Sequence, residues 1–283
     1  MILIADSGST KTEWSLCTAN GQHSEFYTEG INPFFQSEED IHRIVSDALL
    51  PHVAKYLWAG KLTHIYFYGA GCAFPDKKDT VRNAIARTFK AADIQVESDL
   101  LGAARSLFGK EKGVACIMGT GSNSCLYDGC EITKNVSPLG FILGDEGSGA
   151  AIGKHLVSDV LKNQLPEHVC RLFLDTYATN AAEILENVYR KPLPNRYLAQ
   201  FSKFVGDNSQ EPALRHLVYA DFDAFVTRNL VQYASVETTP IGFVGSVAHH
   251  FADILTEVLL AHQLTVGSIA QTPMAGLRRF HKN

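Results

Sequence analysis

The sequence predicts an α/β protein built from two similar halves, and two observations lead to this prediction. An apolar run, a turn rich in glycine, serine and threonine, and a second strand-like run follow one another at residues 4–17 and again at 117–127. Around each copy, strand-like and helix-like segments alternate along the chain. With 283 residues, the chain is long enough to form two domains with separate cores.

The first half is predicted to begin with three strands and then to alternate between helices and strands. Ser37 is a good helix N-cap, and the acidic residues at 38–40 suit the positive end of a helix dipole. In chain order, the predicted elements are strands at 2–5, 13–18 and 23–28, a helix from Ser37 to about Leu49, a strand at 62–68, a helix at 80–91 and a strand at 94–97. This order is typical of a ribonuclease-H-like half.

The second half repeats the pattern and carries an insertion. Its predicted elements are strands at 113–118, 124–128 and 131–136, a mostly helical insertion from Gly149 to about Gln232, a strand at 240–244 and an amphipathic helix from Val247. We therefore expect one domain at residues 1–105 and a second at 106–270. A terminal helix at 273–283 is expected to pack back on the first domain.

Composition and charge argue against several classes of partner. The net charge is −5 and no lysine or arginine cluster stands out, so no nucleic-acid partner is expected. No apolar run approaches the ~20 residues that span a bilayer, and no basic, cleavable leader precedes the first strand. A cytoplasmic protein without a membrane partner is therefore expected. The six cysteines form no Cys-x-x-Cys pair and are expected to be reduced thiols.

The two glycine turns are candidate phosphate-binding loops. Small residues let backbone N–H groups approach an anion closely, and the hydroxyl groups add donors. One such turn also fits an ordinary hairpin, but two in equivalent positions predict that one polyphosphate is held from both sides. The pattern favours a nucleotide-dependent phosphotransferase. The candidate nucleotide-binding residues in the turns are Ser9, Thr10, Lys11, Gly119, Thr120 and Gly121.

Two aspartates stand near predicted strand ends, and the residue pattern leaves two roles open for each. Asp6 is placed either to hold Mg²⁺ against the phosphates of a nucleotide or to bond its own backbone in an Asx turn. Asp99 opens a predicted helix after the strand that ends at Glu97. It is either a general base that takes a proton from an attacking hydroxyl or a helix cap.

Two later glycine-rich segments are further candidates for ligand contact. Residues 144–148 read Gly-Asp-Glu-Gly-Ser and precede a long predicted helix, so they form either a loop with a helix cap or a ligand-binding loop. Residues 242–246 read Gly-Phe-Val-Gly-Ser and form a strand-to-helix turn. Such a turn can place a nucleotide at a helix N-terminus, which makes Gly245 and Ser246 candidate nucleotide contacts.

Taken together, these elements resemble the sugar kinase, heat-shock-70 and actin superfamily. The similarity covers nearly the whole chain and is greatest to the N-acetylglucosamine kinase branch, the BadF/BadG/BcrA/BcrD-type ATPases. Residues 6–12 look like the first phosphate motif of the family, 119–123 like its second, and 242–247 like its adenosine motif. The resemblance implies two actin-like ATPase domains with a cleft between them, and the use of ATP and Mg²⁺.

The resemblance also implies roles for individual residues. Asp99 matches the catalytic aspartate of the family, Asn32 matches an asparagine that contacts the sugar, and Asp145 lies in the matching Gly-Asp-Glu-Gly-Ser loop. The remaining candidate sugar contacts are Ser122, Asn123 and Gly140. The implied activity is transfer of the γ-phosphate of ATP to a hydroxyl of N-acetylglucosamine or a close relative, in amino sugar metabolism.

Two departures from the family pattern bear on this interpretation. Leu139 stands where the animal N-acetylglucosamine kinases carry a tryptophan, which leaves the identity of the sugar open. No cysteine lies in a motif like the one that holds an iron–sulfur cluster in the 2-hydroxyacyl-CoA dehydratase activators. The alternatives are an ATPase whose hydrolysis drives a conformational change in a partner, and a non-catalytic sugar-binding regulator. A homodimer is left open.

Overall fold

The computed structural model describes residues 1–8, 10–58, 60–90, 92–233 and 235–282, which form two compact units. The first unit comprises Met1–Glu111, Gly129–Glu131 and Pro273–Asn283, and the second comprises Lys112–Asp128 and Ile132–Thr272. Each unit contains a five-stranded mixed sheet with helices packed around it. The predicted α/β class with two similar halves is confirmed.

The sheet of the first unit has the strand order β3-β2-β1-β4-β5. Its strands are β1 (Ile2–Ser7), β2 (Lys11–Cys17), β3 (His23–Glu29), β4 (His64–Gly69) and β5 (Asp93–Ser98). The first three strands form antiparallel hairpins, whereas β4 and β5 run parallel to β1. Parallel neighbours need a crossover connection, and helices provide it here.

The helices of the first unit are α1 (Glu38–Arg43), α2 (Leu50–Leu57), α3 (Pro75–Thr88) and α4 (Asp99–Phe108), with a π-helical segment at Ile44–Leu49 between α1 and α2. Ser37 caps α1 in a capping box with Asp40, which confirms the predicted start of this helix. α3 starts earlier than the sequence pattern predicted, because Pro75 is well suited to the first turn of a helix. The core of this unit includes the fully buried Trp14 and Phe67.

The sheet of the second unit has the equivalent order β10-β9-β6-β7-β8. Its strands are β6 (Gly113–Met118), β7 (Ser122–Tyr127), β8 (Ile132–Val136), β9 (Ile241–Val244) and β10 (Val266–Ala270). In both sheets the first strand lies in the centre, with its antiparallel hairpin partners on one side and two parallel strands on the other. The repeated sequence pattern therefore corresponds to a repeated topology.

A helical insertion separates β8 from β9, as predicted. Its helices are α5 (Gly140–Leu143), α6 (Gly149–Leu161), α7 (Glu167–Tyr177), α8 (Ala181–Tyr189), α9 (Pro194–Ala199), α10 (Ser202–Asp207) and α11 (Pro212–Arg228). Pro166 is the N-cap of α7, while Pro194 and Pro212 begin α9 and α11. The prolines that interrupt the helical pattern in the sequence therefore mark helix starts.

In the described part of the chain after β9 there are three short helices. α12 (Ser246–His250) and α13 (Ala252–Ala261) replace the single helix that the apolar stripe predicted, because the backbone leaves helical geometry at Phe251. α14 (Met274–Phe280) belongs to the first unit, where Met274 and Leu277 pack with Ile4 and Tyr68. In the part of the chain that the structure describes, no helix has the length and apolar character needed to cross a membrane.

Candidate active site

One edge of the first sheet brings the two candidate aspartates together. Ser7 pairs with Gly69 and Gly69 pairs with Ser98, so the carboxyl ends of β1, β4 and β5 are aligned. Asp6 is the next-to-last residue of β1, and Asp99 directly follows β5. Since neighbouring strands lie about 4.8 Å apart and β4 lies between them, the strands β1 and β5 that lead to these positions are separated by about 10 Å.

Asp6 lies among other carboxylates. It faces Glu13 across the β1–β2 ladder, and β1 continues to Ser7, so Asp6 is a strand residue. The Gly8 N–H, which an Asx turn at Asp6 would use, donates to the Lys11 carbonyl. The pKa of Asp6 is raised to about 7, mainly by burial and also by the charges of Asp99 and Glu13, against the lowering effect of Lys11. A cation at this position would relieve the repulsion among the carboxylates.

Asp99 is the first residue of α4, and the cap of this helix is Ser98. The Ser98 hydroxyl accepts a hydrogen bond from the Leu101 N–H at 3.2 Å, so Ser98 and not Asp99 is the N-cap of this helix. Asp99 Oδ1 accepts the Leu100 N–H at 2.8 Å. Burial raises the pKa of Asp99 to about 6, against the lowering effect of these backbone donors. A carboxylate with a pKa near neutrality is a competent proton acceptor.

The turn between β1 and β2 is held by backbone hydrogen bonds. The Gly8 N–H donates to the Lys11 carbonyl at 3.1 Å, and the carbonyl of the exposed Thr10 accepts the Gly30 N–H at 3.1 Å. The Lys11 ammonium lies 5.1 Å from the centre of the Tyr27 ring. Ser9, a candidate nucleotide contact, lies outside the described residues.

The buried Ser7 hydroxyl connects this turn to the segment that carries Asn32. Ser7 Oγ lies 2.7 Å from the Thr12 hydroxyl, donates to the Ile31 carbonyl and accepts the Ile31 N–H. The sequence pattern does not single out Ser7 for this role. Its position in a glycine- and hydroxyl-rich turn was the available signal, but only the fold shows which segment it holds.

Asn32 is oriented by its neighbours. Its N–H donates to Gln36 Oε1 at 2.7 Å and its Oδ1 accepts the Phe34 N–H at 3.0 Å. A Cβ atom at Gly71 would lie only 2.4 Å from Asn32 Oδ1, so the loop after β4 packs directly against this amide. The charge of Asp99 contributes to raising the pKa of the adjacent Cys72, behind burial as the main cause. Asn32 and Asp99 therefore flank the same loop.

Two charged residues that the sequence analysis missed lie at this edge. Lys78 on α3 forms an ion pair with Glu97 on β5, with 2.5 Å between Nζ and Oε2. Both side chains, like Asp99, affect the pKa of Cys72, which places all three near it. The sequence offered no signal for Lys78, because its nearness to β5 arises from packing of α3 on the sheet.

The corresponding turn of the second unit lies between β6 and β7. The Gly119 N–H donates to the Gly121 carbonyl at 2.9 Å. The first N–H groups of α6, from Gly149 and Ala150, donate to the carbonyls of Gly119 and Thr120 at 2.8 and 3.0 Å. The start of α6 is thus tied to this turn, and the backbone of both is fixed by these bonds.

Asp145 packs against the same turn. A Cβ atom at Gly121 would lie 3.1 Å from Asp145 Oδ2, and the Ser122 N–H bonds the carboxylate. Asp145 is 9% exposed and adopts a positive φ of 59°. Burial raises its pKa to about 6, although the hydrogen bond from Ser122 lowers it. A buried carboxylate held beside a glycine turn can accept hydrogen bonds from ligand hydroxyl groups.

The other candidate sugar contacts are less closely grouped. Side chains alternate along a strand, so Ser122 and Asn123 point to opposite faces of the sheet. Asn123 Oδ1 accepts hydrogen bonds from the Ser124 N–H and from Asn135, each at 2.9 Å. Gly140 begins the exposed helix α5 with a φ of 74°. Among the described residues, no hydrogen bond joins Asn123 or Gly140 to the Asp145 carboxylate.

Gly245 lies beside the turn between β6 and β7, because β9 and β6 are neighbouring strands in the sheet. β6 and β9 are parallel and Ile117 pairs with Val244, so Met118 and Gly245 are neighbours at the strand ends. Gly245 has a φ of 129°, and a Cβ atom there would lie 2.1 Å from the Met118 carbonyl oxygen. Ser246 then begins α12. The second unit therefore groups its candidate nucleotide contacts at one sheet edge.

The donors at the first sheet edge fit a magnesium ion. Within the described part of the chain, no cluster of three or more His, Cys, Asp or Glu side chains is arranged to hold a metal. Mg²⁺ does not require such a cluster, since it is usually held by one or two carboxylates together with waters and substrate phosphates. The crowded Asp6 carboxylate, with a pKa raised to about 7, is suited to bind a cation in this way.

Comparison with solved structures defines the class of protein as the two-domain, actin-like sugar kinases. A crystal structure described as a "putative N-acetylglucosamine kinase" from Porphyromonas gingivalis is 46% identical, with a TM-score of 0.96 over 100% of this chain and 99% of that chain. The chain therefore belongs to the N-acetylglucosamine kinase-like family of sugar kinases. No family model and no curated protein matches it.

Two more distant structures share the fold. A "putative N-acetylglucosamine kinase" from Chromobacterium violaceum is 14% identical, with a TM-score of 0.76 over 99% of this chain and 98% of that chain. A ROK family glucokinase from Streptomyces griseus, solved with glucose and AMPPNP, is also 14% identical, with a TM-score of 0.55 over 99% of this chain and 97% of that chain. At this identity the likeness concerns the fold alone.

Proposed function

We propose that this carbohydrate kinase family member transfers the γ-phosphate of ATP to a hydroxyl group of an N-acetylated amino sugar. N-acetylglucosamine and close relatives such as N-acetylmuramic acid are the candidate substrates. The observation that carries the proposal is Asp99, a partly buried carboxylate with a pKa raised to about 6, which stands at the carboxyl end of β5 beside the N-cap Ser98. Family membership supports the same assignment.

In the proposed reaction Asp99 acts as general base. Its carboxylate accepts the proton of the attacking sugar hydroxyl as the new O–P bond forms and the bond between the β–γ bridging oxygen and the γ-phosphorus breaks. ADP leaves with the bridging oxygen, and the proton remains on Asp99 until water removes it. Asp6 would hold Mg²⁺, which supplies charge neutralisation for the phosphates.

The remaining proposed roles concern binding. The backbone of Gly119, Thr120 and Gly121 would approach the phosphates, with the adenosine near Gly245 and Ser246. Thr10 and Lys11 would contribute from the first turn. Asn32, Asp145 and Ser122 offer amide, carboxylate and hydroxyl groups that suit the hydroxyls and acetamide of an amino sugar. A substrate without the acetamide would leave some of these groups unpaired, at about 1–3 kcal/mol each.

The test is sugar-dependent ADP release in the presence of ATP and Mg²⁺. The panel comprises glucose, N-acetylglucosamine, N-acetylmannosamine and N-acetylmuramic acid, and we expect kcat/KM for an N-acetylated sugar to exceed that for glucose by at least about tenfold. Leu139 is exposed, without the bulk of a tryptophan, which is why the bulkier N-acetylmuramic acid is included.

The alternatives give different results in the same assay. Equal or better turnover of glucose contradicts the amino sugar assignment but not the kinase assignment. ADP release that is independent of any sugar supports an ATPase that acts on a partner. Sugar binding by calorimetry without turnover supports a non-catalytic regulator.

A further inference from the structure

A second candidate ligand site lies in the first unit, at the opposite end of β1 from Asp6. We propose that a cavity of about 500 Å³, lined by Met1, Ile2, the β2–β3 turn and the last turn of α14, binds the phosphate monoester of a small organic molecule. This site is separate from the proposed active site. It rests on convergent cations, on the absence of opposing charge in the lining and on the size of the cavity.

Three cationic side chains converge on this cavity from the end of α14. Arg278 is oriented by a hydrogen bond of 2.7 Å to Glu25 and a longer one of 3.3 Å to the Ser15 hydroxyl. Arg279 and Lys282 are exposed, and no salt bridge to either is found among the described residues. The Lys282 ammonium lies 3.3 Å from the position of a Cβ atom at Gly21, so it reaches across to the β2–β3 turn.

The cavity lining carries no opposing charge. No aspartate or glutamate is among the described residues that line it. Glu25 is the nearby carboxylate, and it is engaged by Arg278 and lies 3.7 Å from His23 Nε2. Burial and the Arg105 charge lower the pKa of the lining residue His281 to about 4, so its ring is neutral at physiological pH. Arg279 and Lys282 therefore remain available to neutralise an anion.

The size and composition of the cavity indicate what kind of anion it suits. A volume of about 500 Å³ is within the range of small-molecule sites and far larger than a phosphate ion requires. Apolar side chains, among them Ile2, Cys17 and Ala275, form part of the lining. A charged group at the arginine and lysine side, attached to a small organic body, fits this arrangement better than an inorganic ion alone.

The site is distant from the proposed chemistry. β1 rises about 3.3 Å per residue, so Asp6 lies about 13 Å along the strand from Ile2, and the first glycine turn lies further on. Cations in the last turn of a helix also stabilise the helix dipole. Stabilisation of the dipole would explain the basic residues at the end of α14 without a bound anion. A binding measurement therefore separates this explanation from the proposed anion site.

The three methionines of the chain allow the location of binding to be read directly. Met1 lines the cavity, Met118 precedes the second glycine turn and Met274 is buried in α14. The full-length protein labelled with [¹³C-methyl]methionine is titrated with glucose 6-phosphate, with inorganic phosphate and with glucose, and calorimetry measures the affinities. The variants M118L and M274L assign the spectrum.

We expect glucose 6-phosphate to shift the Met1 signal and to bind at least about threefold more tightly than inorganic phosphate. Glucose should not shift Met1. The double variant R279A/K282A should weaken binding of glucose 6-phosphate by at least about tenfold, with the Met118 and Met274 signals unchanged. The matched control R171A/K203A removes two exposed cations from the second unit and should bind like the wild type.

Three results would overturn the proposal. These are undiminished binding in R279A/K282A, a shift confined to Met118, and no saturable binding of glucose 6-phosphate. If the Met274 signal of R279A/K282A shows that α14 is displaced, R279Q/K282Q replaces it, since glutamine keeps most of the side-chain packing. None of these readouts depends on kinase activity, so failure here leaves the proposed function untouched.

Discussion

The position of Asp99, directly after a strand and at the start of a helix, determines both where its carboxylate lies and how strongly it is desolvated. Strand β5 ends at Ser98, and this serine caps α4, so the next residue emerges at the sheet edge with its carboxylate partly buried. Desolvation then raises the pKa of Asp99 towards neutrality. Of the two roles that the sequence left open for Asp99, Ser98 therefore fills that of the N-cap, and the role of general base is the one proposed for Asp99.

The pair Ser98 and Asp99 allows the two roles to be measured separately. We expect D99N to lower kcat by about 10²–10⁴-fold with little change in the affinity for AMPPNP, because asparagine keeps the shape but accepts no proton. S98A should lose about 1 kcal/mol of unfolding free energy, from removal of the cap, and keep its turnover. Steady-state kinetics and thermal unfolding provide both numbers. Near wild-type turnover in D99N would remove Asp99 from the mechanism.

The same group predicts the pH dependence of the wild-type enzyme. A general base must be ionised, and the pKa of Asp99 in the free protein is about 6. At saturating Mg²⁺, which would keep the proposed metal ligand Asp6 ionised, we therefore expect kcat/KM to be constant above about pH 7 and to decrease as the pH falls through about 6. The profile is measured under conditions in which the protein stays folded. A profile that is flat down to pH 4.5 would contradict this assignment.

The raised pKa of Asp145 predicts how the stability of the protein depends on pH. Burial raises its pKa from 3.8 to about 6 in the folded protein. Protonation of Asp145 therefore contributes its full amount to the free energy of unfolding below about pH 4, and this contribution is lost as the pH rises through about 6. D145N removes this titration, and asparagine tolerates a positive φ. We expect D145N to have a free energy of unfolding that exceeds that of the wild type by up to about 2–3 kcal/mol at pH 8, and by a smaller amount at pH 4. Denaturant unfolding at both pH values measures the difference; an equal effect at both would contradict the raised pKa.

At the scale of elements, the strand-to-helix connections decide which glycines are replaceable. Gly245 joins β9 to α12 with a positive φ, and a Cβ atom there would overlap the Met118 carbonyl oxygen. The turn residue Gly119 differs, since its Cβ position meets no atom within 4 Å. Both glycines lie next to Met118 at the end of β6, but only at Gly245 would a Cβ atom overlap a neighbouring atom.

This contrast gives a matched pair of variants. We expect G245A to lose at least about 2 kcal/mol of unfolding free energy, because a strained backbone and a steric overlap act together. G119A should change stability by less than about 1 kcal/mol. If the backbone of this turn approaches a phosphate, G119A should nevertheless weaken AMPPNP binding by about tenfold or more. Denaturant titration and calorimetry test both; equal stability losses would contradict the steric argument.

At the scale of the whole molecule, the chain contains two separate cores. Phe67 is fully buried in the core of the first unit, and Phe173 is fully buried in the second, where its ring lies 5.1–5.3 Å from those of Tyr177, Phe201 and Phe204. Truncation of such a ring costs about 3–5 kcal/mol. Each unit therefore has its own apolar cluster to stabilise it.

Hydrogen exchange can show whether these cores act independently. We expect F173A to accelerate exchange in the strands of the second unit while β1 and β4 keep their protection, and F67A to give the reciprocal pattern. Exchange is followed by mass spectrometry on peptides from both sheets. Equal loss of protection in both units for either variant would show that the two cores unfold as one.

The sequence by itself determined the features that depend on local physics. These include the α/β class, the repeated hairpin with its glycine turn, the cap at Ser37 and the helical insertion in the second half, because backbone sterics and hydrophobic periodicity act over a few residues. They also include the candidates Asp6, Asp99 and Asp145, since each stands beside a glycine turn or a strand end.

Only the tertiary structure decided what depends on contacts between distant segments. Strand register sets Glu13 opposite Asp6, and packing of α3 brings Lys78 to Glu97. The break at Phe251 and the close approach of Gly245 to Met118 likewise depend on neighbours that lie far away in the chain. Burial follows from these contacts, and burial raises the pKa values of the three aspartates. The sequence therefore indicated which side chains could act as acids, bases or ligands, while the fold determined their pKa values and their neighbouring residues.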